Sequence, residues 1–216
     1  MNNSVQRTRN RAVDLSVMCN MLNVMHSVSN EGIMRTLILK NGGAVAYRRL
    51  KDGDQIRLKK FHNELSEKSQ RLFTPHAYDD ETLAKVVYRS VIDEDRVYIA
   101  LDDKEVIVAY FFLWWYSSEF PVLGIGIADQ FQGLGLGRQL IDILIEDGRT
   151  GRCSAIELTT MPNNEKAFAL YQKLGFQYLG KVDNLAGDGS TLEELHMYYP
   201  IEAGVKIPER KHVAPV

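Results

Sequence analysis

A glycine-rich loop between a predicted strand and a predicted helix most constrains how this chain can fold. The apolar run 122–128 predicts the strand, and three glycines then occupy alternate positions at Gly133, Gly135 and Gly137. Glycine tolerates positive φ and has no Cβ, so the backbone can turn tightly and a ligand can approach it closely. Leucines and isoleucines then recur at helical spacing, which predicts a helix that ends at Gly148.

The start of this helix predicts an anion site. The N–H groups of a first helical turn have no partner within the helix, and the helix dipole adds positive potential there. A site made mainly of backbone in this way suits a pyrophosphate. Two alternatives stay open: a glycine turn that only lets helix and strand pack closely, and a Rossmann-type dinucleotide-binding oxidoreductase. The latter prefers GxGxxG, whereas the spacing here is GxGxG.

A second helix is predicted after the strand at residues 155–160. Asn163 or Asn164 can cap its start, and Gly175 can end it. Taken alone, an aromatic residue on this helix indicates ordinary packing more readily than catalysis. One face of the helix carries Ala167, Leu170, Tyr171 and Leu174.

Together the two segments resemble the signature of GNAT acetyltransferases. The pattern Gln132-x-x-Gly135-x-Gly137 is similar to the family's (Gln/Arg)-x-x-Gly-x-(Gly/Ala) loop, and Asn164-x-x-Ala167-x-x-x-Tyr171 is similar to its second segment. The resemblance implies that the loop binds the pyrophosphate of coenzyme A and that the tyrosine lies beside the sulfur. The implied cofactor-binding residues are Ile127, Ala128, Gln132, Gly133, Leu134, Gly135, Leu136, Gly137, Arg138, Asn164, Ala167 and Tyr171.

The resemblance implies direct transfer of an acetyl group from acetyl-CoA to a primary amine of a small molecule or a protein, with Tyr171 as general acid. The general base is missing from its usual place, because Thr159 stands where several family members carry glutamate. Glu119, Asp129 and Glu157 are each expected to be a surface acid rather than the base. Proton removal through ordered water is an equal alternative to removal by a carboxylate. A non-catalytic acyl-CoA sensor therefore stays open as a second function.

The order of predicted elements indicates one α/β domain with a mixed, mostly antiparallel sheet flanked by helices, as in GNAT proteins. This domain is expected over residues 33–202, preceded by an amphipathic helical extension over 1–32 and followed by a tail over 203–216. The apolar face of the extension fits either packing on its own domain or a homodimer contact. The aromatic run 110–116 predicts a central strand buried on both faces, part of which could line an acceptor pocket.

Two or three short helices are predicted over residues 54–91. Asp54 can cap the first of them, whose inward positions are Leu58, Phe61 and Leu65. Ser66 and either Asp79 or Asp80 offer further caps.

Composition argues against several other functions. A formal net charge of -2 provides no general attraction for nucleic acid. The two cysteines are far apart and the five histidines lack metal-ligand spacing, so we expect no disulfide framework, no metal site and a reducing, cytoplasmic environment. No apolar run is long enough for a membrane helix. Three N-terminal arginines leave a mitochondrial targeting segment as an alternative.

Overall fold

The computed structural model describes residues 34–185, 190–208 and 214–216. The helical extension predicted over residues 1–32 and its dimer contact lie outside the described residues. In chain order the elements are β1 (Arg35–Ile38), β2 (Ala44–Arg49), α1 (Gln55–Glu64), α2 (Glu67–Leu72), α3 (Asp80–Val91), β3 (Arg96–Leu101), β4 (Ile107–Trp114), β5 (Val122–Ile127), α4 (Leu136–Thr150), β6 (Ala155–Thr160), α5 (Glu165–Lys173), β7 (Gln177–Leu185) and β8 (Thr191–Pro200).

Within the described ranges, eight strands form one sheet in the order β1-β2-β3-β4-β5-β6-β8-β7. Every neighbouring pair is antiparallel except β5 and β6, which are parallel. The predicted mixed, mostly antiparallel sheet is confirmed. A Rossmann fold requires a mostly parallel sheet, so this topology is incompatible with the dinucleotide-binding alternative.

The aromatic strand β4 lies at the centre of the sheet and every one of its residues is buried, as predicted. Its two faces pack into different layers because successive side chains alternate across a strand. On one face Phe111 stacks on Tyr98, with ring centroids 5.1 Å apart. On the other face Phe112 stacks on Trp114 at 4.3 Å.

Helices α1 and α3 pack with their apolar positions inward. The predicted inward residues of the first helix, Leu58, Phe61 and Leu65, are all buried. The predicted cap at Ser66 is confirmed, and of Asp79 and Asp80 it is Asp79 that caps α3; each capping side chain accepts a hydrogen bond from a backbone N–H of the first turn. No helix among the described residues is long and apolar enough to cross a membrane.

Two predictions about helix ends are wrong, and tertiary packing is the reason in both cases. Helix α4 continues past Gly148 to Thr150, because this glycine lies against β6: a Cβ there would be 2.6 Å from Ile156 Cδ1. Asp54 precedes α1 but makes no side-chain cap. Its carboxylate instead pairs with the buried guanidinium of Arg48 at 2.6 Å.

Candidate active site

A cleft of about 1070 Å³ opens where β5 and β6 separate. The two strands pair only at Val122 and Glu157, although each continues beyond that point. Residues of both predicted motifs line this one cleft, with the glycine loop at the start of α4 and the tyrosine-bearing helix α5 both contributing. The separation of two neighbouring strands therefore brings the motifs together around one space.

The glycine loop has the backbone conformation that the sequence predicts. Gly133 and Gly135 both have positive φ, of 75° and 83°. Gly135 occupies the N-cap of α4, where no side chain caps the helix and no acidic residue lies in the first turn. The first N–H groups of α4 are therefore left for a ligand, and the positive end of the helix dipole favours an anion. Gly137 lies near Ile127 and Leu170, where a Cβ would make ordinary van der Waals contacts of 3.4 Å with both side chains.

The side chain of Gln132 fastens the loop to its surroundings. Its Nε2 donates to the backbone oxygen of Ile127 at 3.0 Å and to Ser69 Oγ at 3.2 Å. Gln132 also lines the cleft, and so does Arg138. The structure thus gives this glutamine a positioning contact that the motif alone does not reveal.

Asp129 connects the loop to the start of α2. Its carboxylate accepts hydrogen bonds from the backbone N–H of Ser66 and from the hydroxyls of Ser66 and Ser69, all between 2.7 and 2.8 Å. The Ser66 N–H, followed by the Ser69 hydroxyl, lowers the pKa of this carboxyl. Both oxygens are engaged, so Asp129 acts as a structural anchor.

Basic side chains contribute positive charge to the cleft, and most of them were not expected from the sequence. Lys40 lies at the tip of the β1–β2 hairpin, where its N–H donates to the Leu134 oxygen at 3.0 Å. Its side chain passes 3.2 Å from the position of a Cβ on Gly135. No local motif marks it, because only the docking of the hairpin brings it to the loop. The basic lining residues are Lys40, Lys68, Arg138, Lys166 and Lys173.

Helix α5 presents Asn164, Ala167 and Tyr171 to the cleft. Asn164 occupies the N-cap position, yet its side chain makes no capping hydrogen bond. The ring of Tyr171 is 7% exposed and packs on Phe176, with centroids 5.5 Å apart. Burial raises the pKa of the Tyr171 hydroxyl, which therefore keeps its proton at neutral pH. Gly175, with φ of 100°, follows the helix end as predicted.

At the end of β5 the backbone N–H groups of Ile127 and Ala128 point in different directions, although the family resemblance implies a cofactor contact for both. The N–H of Ala128 donates to the Val108 oxygen at 2.9 Å, so it is used within the sheet. Hydrogen bonding alternates along antiparallel strands, which turns the N–H of Ile127 away from β4 and toward the opening. Ile127 lines the cleft, whereas Ala128, Leu134 and Leu136 do not.

The wall formed by β6, β7 and β8 is polar, and two of its residues, Asn184 and Glu194, were not expected from the sequence. Thr159, Asn184 and Glu194 line the cleft there. Glu157, expected to be a surface acid, is completely buried, and its Oε2 is hydrogen-bonded to His196 Nε2 at 2.7 Å. The expectation for this residue was wrong because β6 is covered on both faces.

The centre of the sheet and the predicted tail also contribute residues that line the cleft. Phe112 and Trp114 of β4 line it, so part of the aromatic strand reaches the cleft. Ala214 also lines the cleft, although it lies in the predicted C-terminal tail.

Comparisons with known proteins agree with this geometry. The model of the acetyltransferase (GNAT) family matches residues 58–176. The chain is 38% identical over 70 residues to a spermine/spermidine N(1)-acetyltransferase of Bacillus subtilis, covering 32% of this chain and 45% of that protein. It is 37% identical over 62 residues to the N-alpha-acetyltransferase RimI of Mycobacterium tuberculosis, covering 29% and 37%. These alignments span less than half the length of either curated relative.

A solved structure also matches the fold. The spermidine N-acetyltransferase of Vibrio cholerae, in complex with CoA and spermine, superimposes with a TM-score of 0.58 at 22% identity. The match covers 72% of this chain and 95% of that one. At this level of identity the likeness concerns the fold alone.

Proposed function

The chain belongs to the acetyltransferase (GNAT) family, and we propose that it transfers an acetyl group from acetyl-CoA directly to a primary amine. One observation carries the proposal: the glycine loop and Tyr171, which are far apart in sequence, line the same cleft between β5 and β6. An anion site at one part of this cleft and a proton donor at another match the two ends of a pyrophosphate-linked thioester.

Loop 132–137 and the first turn of α4 hold the pyrophosphate in this proposal. The N–H groups there have no side-chain cap, and positive φ at Gly133 and Gly135 exposes them. Lys40 and Arg138 add positive charge to the same cleft. The uncapped amide of Asn164 is free to hydrogen-bond the cofactor from the other side.

Ile127 and Tyr171 carry the chemistry at the thioester. The N–H of Ile127 donates to the acetyl oxygen, which becomes an oxyanion as the amine attacks. Tyr171, which keeps its proton at neutral pH and lines the cleft, donates that proton to the departing thiolate. Holding amine and thioester together provides much of the rate.

The acceptor is a primary amine of a small molecule or of a protein. One relative is named for spermine and spermidine acetylation and another for N-alpha acetylation, so amines of both kinds occur as acceptors among similar proteins. The aromatic side chains of Phe112 and Trp114 provide an apolar floor for the acceptor in the cleft.

A turnover screen tests the proposal. Purified protein would be mixed with acetyl-CoA and with alkylamines, polyamines, amino acids and lysine peptides in turn, while thiol release is followed with a chromogenic disulfide. We expect at least one amine to accelerate thiol release and to gain an acetyl group by mass spectrometry. Coenzyme A binding without turnover on any amine would favour the acyl-CoA sensor instead.

Thermal shift provides an independent test of ligand class. Coenzyme A and acetyl-CoA should raise the melting temperature, since a ligand that binds only the native state stabilises it by mass action. NAD should have no such effect. Stabilisation by NAD and none by acetyl-CoA would contradict the proposed function.

A further inference from the structure

A carboxylate of β8, Glu194, lies on the cleft wall between β6 and β7. Its Oε2 accepts hydrogen bonds from Thr159 Oγ1 of β6 at 2.9 Å and from Asn184 Nδ2 of β7 at 2.7 Å. We propose that Glu194 is the general base that removes a proton from the acceptor ammonium, an inference that rests on the acetyl transfer proposed above.

The position of Glu194 relative to Thr159 supports this role. Thr159 stands where the family resemblance implies a catalytic glutamate, and its hydroxyl donates directly to Glu194. A carboxylate oxygen therefore lies one hydrogen bond from the expected position, although it is supplied by the neighbouring strand. The two strands bring these residues together because β6 and β8 are antiparallel partners over Ala155–Thr160.

The electrostatic setting of Glu194 favours a bound cation. The side chain is half-buried, and within the described ranges both of its hydrogen bonds come from uncharged donors and end on Oε2. Its neighbour Glu193 is exposed on the opposite face of the strand and pairs with Lys181 at 2.7 Å. A partly desolvated carboxylate is stabilised by an opposite charge, which an acceptor ammonium would provide.

The other acids near the cleft are less suited to the role. Both oxygens of Asp129 are engaged by Ser66 and Ser69. Glu165 is exposed in the first turn of α5, next to the residue assigned to the cofactor. Glu157 is hydrogen-bonded to His196 and does not line the cleft.

The proposed step balances in atoms and protons. Glu194 takes one proton from the ammonium, and the nitrogen lone pair forms the C–N bond to the acetyl carbon while the C–S bond breaks. Tyr171 gives its proton to the leaving sulfur. The nitrogen then loses a second proton, which passes through water to Tyr171 and restores its hydroxyl. Glu194 then releases its proton to solvent, so an ammonium and a thioester yield an amide, a thiol and one proton.

A carboxylate base also narrows the class of acceptor. Aliphatic amines have pKa values of about 8 to 10 and are protonated at neutral pH, so they need a base before they can attack. Arylamines are neutral at that pH and gain nothing from a carboxylate partner. We therefore infer a cationic aliphatic amine as the acceptor.

The test compares Glu194→Gln with Glu193→Gln over a range of pH, using the best acceptor from the turnover screen. At pH 7 we expect kcat/KM of Glu194→Gln to fall by about 10²-fold or more, while calorimetric affinity for coenzyme A is retained. The loss of kcat/KM in Glu194→Gln relative to the wild type should shrink by about tenfold per pH unit as the pH rises toward the pKa of the acceptor, because free amine then forms without a base. Glu193→Gln, one residue away on the other face, should match the wild type.

Two results would overturn the inference while leaving acetyl transfer intact. One is a Glu194→Gln enzyme as active as Glu193→Gln at pH 7. The other is a deficit of equal size at every pH, since a structural role does not depend on the protonation state of the acceptor. Failure of the wild type to acetylate any amine would instead remove the proposed function itself, and the inference with it.

A second variant tests the same role in a different way. Glu194→Ala leaves space for a small carboxylate, so added formate should restore part of its activity at pH 7 without affecting the wild type. No restoration in a folded, coenzyme A-binding Glu194→Ala protein would contradict the assignment.

Discussion

The ring of Phe112 on β4 occupies the space left by the missing side chain of Gly124 on β5. The two residues are register partners, and a Cβ on the glycine would lie 2.1 Å from Cζ of the ring. Phe112 also stacks on Trp114, and both line the cleft. The shape of the cleft floor thus depends on a glycine in the neighbouring strand.

Gly124→Ala should therefore destabilise the protein. The ring must move away from a well-packed position, and overpacking of this kind typically costs about 1–3 kcal/mol. Urea unfolding would measure the loss. Combining Gly124→Ala with Phe112→Leu should cost less than the sum of the two single changes, whereas strict additivity would show that the ring does not cause the strain.

Gly135→Val should abolish coenzyme A binding while the protein still folds. The residue has φ of 83°, which a β-branched residue adopts only at a cost, and its side chain would project where Lys40 passes the loop. Calorimetry on the folded variant would measure the affinity. Gly53→Val is the matched control, because Gly53 has φ of 87° but does not line the cleft. Near-normal affinity in Gly135→Val would show that the loop is merely structural.

Tyr171→Phe should lower kcat and leave coenzyme A affinity nearly unchanged. The substitution removes one hydroxyl and keeps the ring that packs on Phe176. General acid catalysis contributes about 10²–10⁴-fold, and we expect the low end because a thiolate is a tolerable leaving group. Tyr178→Phe, at a half-exposed tyrosine outside the cleft, serves as control. Wild-type turnover under conditions where chemistry is rate-limiting would make Tyr171 a packing residue only.

Stability should decrease as pH falls from about 6.5 toward 4. Burial lowers the pKa of His76 to about 4, and its Nε2 lies 3.1 Å from the hydroxyl of Tyr110. Below pH 6.5 the unfolded chain binds a proton at His76 that the native protein does not, so the free energy of unfolding falls by up to about 3 kcal/mol. Above pH 6.5 neither state binds this proton, so the free energy of unfolding that is lost at lower pH is fully present.

Urea unfolding between pH 7.5 and 4.5 would measure this dependence. His76→Phe should be less stable at pH 7.5, because Tyr110 loses its partner, but its stability should depend less on pH. His62 and Asp79 also contribute charge near His76, and both remain in the variant. Parallel pH profiles for the two proteins would assign the dependence to other groups.

The local features of the fold follow from local residues. The bounds of β6 agree with the prediction, and Ser66 and Asp79 cap their helices as expected, since capping depends on residues only three apart. The two wrong predictions about helix ends concern residues that contact a neighbouring strand. Gly148 lies against Ile156 rather than ending its helix, and Asp54 pairs with Arg48 rather than capping one.

The sequence by itself determined the two motifs, because a glycine loop at a helix start and a tyrosine-bearing helix are each formed within a short segment. Only the tertiary structure decided that β5 and β6 separate, so that both motifs line one cleft. It also decided that Lys40 reaches the loop and that Glu194 accepts a hydrogen bond from Thr159. These contacts depend on strand order and register between distant segments, and no local pattern of residues specifies which side chains then meet.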